Sequence, residues 1–387
     1  MPSLYVKSYE LSLATIGVIL MVIRLLDAVT DPFFGKLIDK TLNRKKFQLW
    51  AVPSGILMTI GYAALINPPG GLSTDLGILT YMGFCTLITS TAAGVFNVTI
   101  QAWPIQWTSN TLEQSELVSR REQFTLIGII VASTLSTATN STMFTAYLLV
   151  LTIITSIAIL SLPAARGASS FQNVFNWGRL RSMTLLMSPL FISALANATA
   201  ATLFMFYVTD YLMLSQANGG KLLAIYFISA LVGIWLWQKT MTNRNTINVY
   251  MLTVSMTIIV FVPGFWLNHT NAGLFTLICI GTGLFVGAEL VLSSMLLIKR
   301  IKYINQEDNS GIILGTWGLL IKLGLALAAG LSLPLLNLWG YQPGLTKGHE
   351  GLALTYLATP IILKILSLIL LSIHNHQNGH IYAPNNY

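Results

Sequence analysis

Residues 11–38 read LSLATIGVILMVIRLLDAVTDPFFGKLI. The apolar residues of this stretch follow one another without the alternating polar positions of a membrane β-strand. A helical span needs about 20 such residues, so this stretch is long enough to cross a bilayer. Ten further runs of the same kind follow, at residues 47–66, 76–103, 121–138, 143–162, 185–212, 222–237, 249–267, 274–297, 312–336 and 352–373. The sequence therefore predicts an all-α polytopic membrane protein with eleven spans.

The composition agrees with a chain that faces lipid along most of its length. Of the 387 residues, 54% are hydrophobic and only 9% are charged, whereas a soluble domain carries about 25% charged residues. Cys85 and Cys279 each lie inside an apolar run, without the spacing of metal ligands. The sequence contains no His-rich cluster, nucleophile signature or phosphate-binding loop, so we do not predict an enzyme.

The basic residues indicate how the spans are oriented. Fifteen of the 21 lysines and arginines lie in alternate connections, around residues 36–46, 120–121, 166–181, 239–244 and 299–302. The connections between them hold only Lys7, Lys221 and Lys347. The positive-inside rule assigns the basic side to the cytoplasm and predicts a cytoplasmic C-terminus in an inner (plasma) membrane. The net charge of +8 is then a topology signal, and binding of nucleic acid is not needed to explain it.

The longest connection divides the spans into two groups. We predict an N-terminal bundle of five spans at residues 1–163 and a cytoplasmic linker at 164–184. A C-terminal bundle of six spans at 185–374 and a cytoplasmic tail at 375–387 follow. Two bundles joined by a linker are typical of transporters that are built from repeated halves.

Three charged residues lie inside the first span. Arg24, Asp27 and Asp31 are spaced i, i+3 and i+7, so they project from one helical face. A charged group at the bilayer centre costs roughly 2.5–3.5 kcal/mol on insertion scales, so this face cannot point at lipid. Two carboxylates near a guanidinium predict a site for an alkali cation or a proton, because oxygen ligands suit hard cations. The alternative is a structural ion pair between Arg24 and Asp27 that locks two helices together.

The segment after this span contains Gly35-Lys-Leu-Ile-Asp39, followed by Arg44 and Lys45. It resembles the loop between the second and third helices of the major facilitator superfamily. The resemblance implies a gating loop formed by Gly35, Asp39, Arg44 and Lys45. The alternative, a basic loop that only sets the orientation, explains the basic residues but not Gly35 and Asp39.

Four motifs are spread along the whole chain. They are Leu13-Ala-Thr-Ile-Gly17 followed by Arg24-x-x-Asp27-x-x-x-Asp31-Pro32, then Ala102-Trp103-Pro-Ile-Gln106, then Arg121-Glu-x-Phe124 with Gly128, and finally Lys322-Leu-Gly-Leu-Ala-Leu-Ala-Ala-Gly330 leading to Gly340-Tyr341. Together they resemble the glycoside–pentoside–hexuronide:cation symporter family of the major facilitator superfamily, which includes the melibiose carriers. The resemblance implies a fold of two helical bundles.

The same resemblance implies the residues of the cation site. Asp27 and Asp31 resemble the paired aspartates that bind Na⁺, Li⁺ or H⁺ in this family. Thr99 stands where melibiose carriers have an aspartate in the fourth helix. We assign these three residues to cation binding, and we expect no metal ion in the protein beyond a coupling ion such as Na⁺ at Asp27 and Asp31.

Further residues are assigned to substrate binding and to a network of charged side chains. Trp103 and Arg121 resemble residues that line the sugar pocket, and Lys322 resembles the lysine of the eleventh helix that reaches the cation site; we assign all three to substrate binding. Trp103 could instead be an interfacial aromatic residue and Lys322 a snorkelling lysine. Arg24, Lys322 and Glu289 form a predicted charge network. Glu289 either pairs with Lys322 or is a second protonatable group, and the sequence leaves both readings open.

The chain also departs from the family pattern. Residues 1–5 align with only the last turn of the family's first helix, so we expect eleven helices instead of twelve. Gln106 replaces a glutamate that is frequent in the family, and residues 297–300 lack its usual aspartate. The cation half of the site is therefore retained better than the sugar half.

These observations predict a symporter that couples Na⁺ or H⁺ to the uptake of a sugar, glycoside or similar small solute by alternating access. The expected partners are this solute and membrane lipid, without nucleic acid, and no cofactor is expected beyond the coupling ion. The alternatives are a transporter of lysolipids or other amphiphiles, and a truncated relic that does not transport.

Overall fold

The computed structural model describes most of the chain with side chains. The described residues are 5, 13–41, 47–69, 74–108, 110–138, 141–161, 177–269, 272–341 and 348–382. Arg44 and Lys45 of the predicted gating loop, residues 164–176 of the predicted linker and the end of the tail lie outside them.

Eleven α-helices form this part of the chain. They are α1 (Leu13–Thr41), α2 (Phe47–Ile66), α3 (Asp75–Trp107), α4 (Thr111–Ala138), α5 (Ser141–Ser161), α6 (Trp177–Phe206), α7 (Gln216–Asn243), α8 (Thr246–Phe261), α9 (Phe275–Tyr303), α10 (Ser310–Leu338) and α11 (His349–Asn378). The described residues contain no β-strand, and the all-α prediction with eleven helices is confirmed.

Nine of these helices are long and apolar enough to cross a membrane, counted over the described ranges. The other two, α1 and α4, are as long but contain more charged and polar residues. A helix satisfies its own backbone hydrogen bonds, which is why it can lie in lipid. The extra charges of α1 include Asp27 and Asp31, so its polarity reflects the predicted site.

The helices group into two compact units. The first unit comprises Met1–Thr108, Val131–Asn173 and Glu307–Lys322. Within it, α3 packs on α1 and α2, and α2 also packs on α5. Its apolar core includes Ile16, Ile78 and Met82, next to the buried Tyr5, whose hydroxyl donates to the carbonyl of Leu65 at 2.9 Å.

The second unit comprises Ser109–Ile130, Val174–Gln306 and Leu323–Tyr387. Here α9 packs on α7 and α8, and α11 packs on α6 and α8. Stacked rings fill its core, with Tyr207 and Tyr356 only 4.2 Å apart between ring centroids. The predicted domain bounds stay a prediction. Within the predicted linker, residues from Trp177 onward already belong to α6.

Candidate functional site

Asp27 and Asp31 lie one turn apart on α1, and both are buried in the first unit. Only 6% of Asp27 and 3% of Asp31 is exposed. The Nζ atom of Lys322, from the first half of α10, lies 2.9 Å from Asp27 Oδ2 and 2.8 Å from Asp31 Oδ1. The structure thus joins three predicted site residues into one cluster, which we call the aspartate–lysine cluster.

The charges of this cluster do not balance. Two carboxylates and one ammonium give a net charge of −1 when all three groups are ionised. In addition, the buried Asp27 Oδ1 has no hydrogen-bond partner among the described residues. A buried charge or polar atom without a partner is costly in free energy. The cluster is therefore able to accept one monovalent cation or a proton.

Arg24 is placed differently from the two aspartates. Its side chain is exposed, and within the described ranges it has no salt bridge. The counter-ion of Asp27 is Lys322, from a distant part of the sequence. The structural alternative from the sequence, an Arg24–Asp27 lock between two helices, is therefore not the arrangement that is observed.

Thr99 and Trp103 lie on α3 in the same unit. Thr99 is fully buried, and its hydroxyl donates to the carbonyl of Val95 at 2.7 Å. Trp103 is half-buried and stacks on Phe47, with 5.2 Å between ring centroids, and it also contacts Trp107 at 5.0 Å. The proposed roles of Thr99 in cation binding and of Trp103 in substrate binding stay predictions.

Two residues of the predicted gating loop, Gly35 and Asp39, lie near the C-terminal end of α1, and their role in gating stays a prediction. Asp39 accepts hydrogen bonds from the backbone N–H groups of Gly311 at 2.7 Å and Ile312 at 2.8 Å. These N–H groups belong to the first turn of α10, where they have no partner within the helix. A carboxylate there accepts their hydrogen bonds and is stabilised by the positive end of the helix dipole. Gly35 and Gly311 allow the close approach, because a Cβ built on Gly35 would lie 2.2 Å from the Gly311 carbonyl oxygen.

Arg121 lies on α4 in the second unit and is half-buried. Its Nη2 atom contacts the carboxylate of Glu122 and donates to Ser294 Oγ on α9 at 3.1 Å. These contacts fix the direction of the guanidinium, and its assignment to substrate binding stays a prediction.

A second buried ion pair lies in the second unit. Glu289 on α9 and Lys364 on α11 are each only 4% exposed, and Lys364 Nζ lies 2.8 Å and 2.9 Å from the two Glu289 oxygens. Thr257 and Asn197 also donate to this carboxylate, at 2.9 Å and 3.2 Å. Glu289 and Lys322 thus have different ion-pair partners.

The sequence interpretation missed Lys364 as a member of this pair. The signal was present, since Lys364 lies inside the last apolar run, where a charged residue needs a partner. The pair is electrically neutral and its carboxylate is saturated with donors, in contrast to the aspartate–lysine cluster.

A further polar contact joins the segment after α10 to the helical turn Tyr207–Tyr211, which follows α6. The hydroxyl of Tyr341 donates to Asp210 Oδ2 at 2.6 Å, and Thr209 donates to Asp210 Oδ1 at 2.6 Å. Burial, together with the hydrogen bond to Asp210, raises the pKa of the Tyr341 phenol above its ordinary value. Tyr341 therefore stays protonated and acts as the donor.

The described residues contain no group of three or more His, Cys, Asp or Glu side chains that could hold a metal ion. A transition-metal site is therefore not supported in this part of the chain, and oxygen ligands for an alkali ion or a proton are the chemistry that the cluster provides.

Comparison with protein families gives one match over nearly the whole chain. The model of the family described as "MFS/sugar transport protein" matches residues 3–375. Among individual proteins, a protein of Escherichia coli (strain K12) named as a glycoside/cation symporter, YagG, is 40% identical over 63 residues. That match spans 15% of this chain and 14% of the relative.

Solved structures of the major facilitator superfamily share the fold. The human organic anion transporter MFSD10 has a TM-score of 0.72 at 11% identity, covering 96% of this chain and 88% of that one. A bacterial homologue of the iron transporter ferroportin has a TM-score of 0.71 at 12% identity, covering 96% and 94%. A variant of the E. coli fucose:proton symporter FucP has a TM-score of 0.64 at 12% identity, covering 91% and 90%. At these identities the likeness concerns the fold alone.

Proposed function

Because the chain belongs to the MFS/sugar transport protein family, a family of transporters and not of enzymes, we propose that it is a cation-coupled symporter of a sugar or glycoside. The observation that carries the proposal is the aspartate–lysine cluster. A structural ion pair needs one acid and one base, but here a second buried carboxylate leaves an excess negative charge. Intramembrane charges of this kind mark ion pathways in transporters.

The cluster supports coupling to a monovalent cation, Na⁺ or H⁺. Such an ion neutralises the excess charge and competes with Lys322 for the oxygens of Asp27 and Asp31. If the ion raises the affinity for the substrate, the substrate raises the affinity for the ion by the same factor. Alternating access then carries both together, with the segment around Gly35 and Asp39 as part of the gate.

The substrate class rests on names of related proteins and on two side chains. The family description includes sugar transport, and the E. coli relative is named as a glycoside/cation symporter. Trp103 offers an aromatic face and Arg121 a hydrogen-bond donor, which suit the ring and hydroxyl groups of a sugar. The basic connections favour an inner (plasma) membrane protein with a cytoplasmic C-terminus.

Uptake by proteoliposomes tests the proposal. The reconstituted protein is given labelled glycosides with or without an imposed Na⁺ or H⁺ gradient. We expect the gradient to drive accumulation of the labelled glycoside in the wild type, and we expect Asp31→Asn to abolish this accumulation. The exchange of labelled for unlabelled substrate, with equal concentrations on both sides of the membrane, should be unchanged in Asp31→Asn. Asp75→Asn, at an exposed position on α3, is the matched control. Unaltered gradient-driven uptake in Asp31→Asn contradicts the assignment of the cation site, and displacement of glycosides by lysolipids would instead support the amphiphile alternative.

A further inference from the structure

Glycines from two helices enclose the carboxylate of Asp31. A Cβ built on Gly94 of α3 would lie 2.4 Å from Asp31 Oδ1, and one on Gly318 of α10 would lie 3.0 Å from Asp31 Oδ2. A Cβ on Gly315 would lie 2.5 Å from the backbone carbonyl oxygen of Asp31. Both carboxylate oxygens of Asp31 therefore lie close to the backbone of glycine residues, which have no side chain.

Gly94 approaches the cation position as well as the carboxylate. The same Cβ would lie 3.1 Å from Lys322 Nζ. This ammonium is itself a monovalent cation, and the oxygens of Asp27 and Asp31 hold it at 2.9 Å and 2.8 Å. It marks the place where an alkali ion held by those oxygens would lie, so Gly94 forms part of the wall of that place.

Helix propensity does not explain a glycine here. Gly94 lies in the interior of α3, where alanine is the better helix former. Gly83 on the same helix shows the contrast, because a Cβ there would come no closer than 3.5 Å to Ile19, an ordinary van der Waals contact. At Gly94 a methyl group would force Asp31 or its neighbours to move.

From these contacts we propose that Gly94 determines which alkali ions the aspartate–lysine cluster accepts, by setting the room beside Asp31 Oδ1. This inference rests on the proposed cation coupling. A methyl group at position 94 would reduce the space available to the ion on the side of α3. A larger ion needs more of that space than a smaller one, so the loss of affinity increases with ion radius.

Thermal unfolding of the purified protein in titrations with Li⁺, Na⁺ and K⁺ tests this inference, because an ion that binds only the folded state stabilises it by RT ln(1 + [ion]/Kd). We expect the wild type and the Gly83→Ala control to show the same affinities. Gly94→Ala should weaken Na⁺ binding by about tenfold or more and Li⁺ binding by less. Asp31→Asn should abolish both responses.

If Gly94→Ala yields no folded protein, Gly318→Ala carries the test from the other helix, with a smaller loss expected since its Cβ contact is longer. Wild-type affinities in both glycine variants, or an equal loss for Li⁺ and Na⁺, overturn the inference while leaving cation coupling in place. If the unfolding temperature of the wild type responds to pH but to no alkali ion, the inference is also overturned and cation coupling stays in place. If the unfolding temperature of the wild type responds neither to pH nor to any alkali ion, the proposed function itself is overturned.

Discussion

Lys322 Nζ lies 2.8 Å from Asp31 Oδ1, although the two residues are 291 positions apart in the sequence. The same ammonium lies 2.9 Å from Asp27 Oδ2. One lysine thus serves two buried carboxylates, and this shared use is the basis of the first prediction.

Lys322→Met removes the ammonium and leaves two neighbouring carboxylates unpaired. Breaking a buried ion pair costs about 3–5 kcal/mol, and we expect the lower end of this range because the Lys322 side chain is 27% exposed. The measurement is thermal unfolding of the purified variant. Lys322→Met/Asp27→Asn should recover part of the loss, and additive destabilisation by the two changes would contradict a direct interaction.

Lys364→Met should be at least as destabilising, because Glu289 and Lys364 are both 4% exposed. The expected loss is about 3–5 kcal/mol, since the Glu289 charge stays buried without its partner. Glu289→Gln/Lys364→Met should restore most of the stability. Because this pair is neutral and saturated, we expect the double variant to retain ion-driven uptake, and a loss of coupling without a loss of stability would show that the pair takes part in transport.

Gly311→Ala and Gly330→Ala are a matched pair on α10. A Cβ at Gly311 would lie 2.5 Å from the Gly35 carbonyl oxygen and 2.6 Å from Asp39 Oδ1, whereas a Cβ at Gly330 meets nothing within 4 Å. We expect Gly311→Ala to destabilise by about 1–3 kcal/mol through overpacking. Gly330→Ala should stabilise by up to about 1 kcal/mol through helix propensity. Equal unfolding midpoints for the two variants would argue against the close α1–α10 approach.

Tyr341→Phe removes the hydroxyl that donates to Asp210 at 2.6 Å and changes little else. A hydrogen bond to a charged group contributes about 1.5–3 kcal/mol, so a loss of this size is expected in thermal unfolding. In a background with Asp210→Asn, the effect of Tyr341→Phe should be smaller. An unchanged effect in that background would mean that the tyrosine acts through its ring contacts.

Much of the fold could be predicted because local sequence determines it. Eleven apolar runs predicted eleven helices, and the structure has eleven in its described part. Helix ends were less predictable. For example, the run at 121–138 begins ten residues later than α4, which starts at Thr111, because the polar first turns of α4 carry no hydropathy signal.

The partners of the buried charges were predicted less well. Arg24 shares a helical face with Asp27 by its spacing, yet its side chain is exposed. Lys322 was connected to the cation site only through a family resemblance, and Lys364 was not connected to Glu289 at all. Spacing within one helix defines which residues share a face, but it does not specify which distant helix covers that face.

Local sequence is enough to predict a bundle of membrane helices and to place Asp27 and Asp31 next to each other. Lipid requires each span to satisfy its own backbone hydrogen bonds, and the two aspartates are one turn apart on a single helix. That Lys322 pairs with Asp27 and Asp31 and that Gly94 lies against Asp31 is seen in the packing of the helices. These contacts depend on the packing of α3 and α10 against α1, where side-chain volume and charge act between segments that are far apart in the chain.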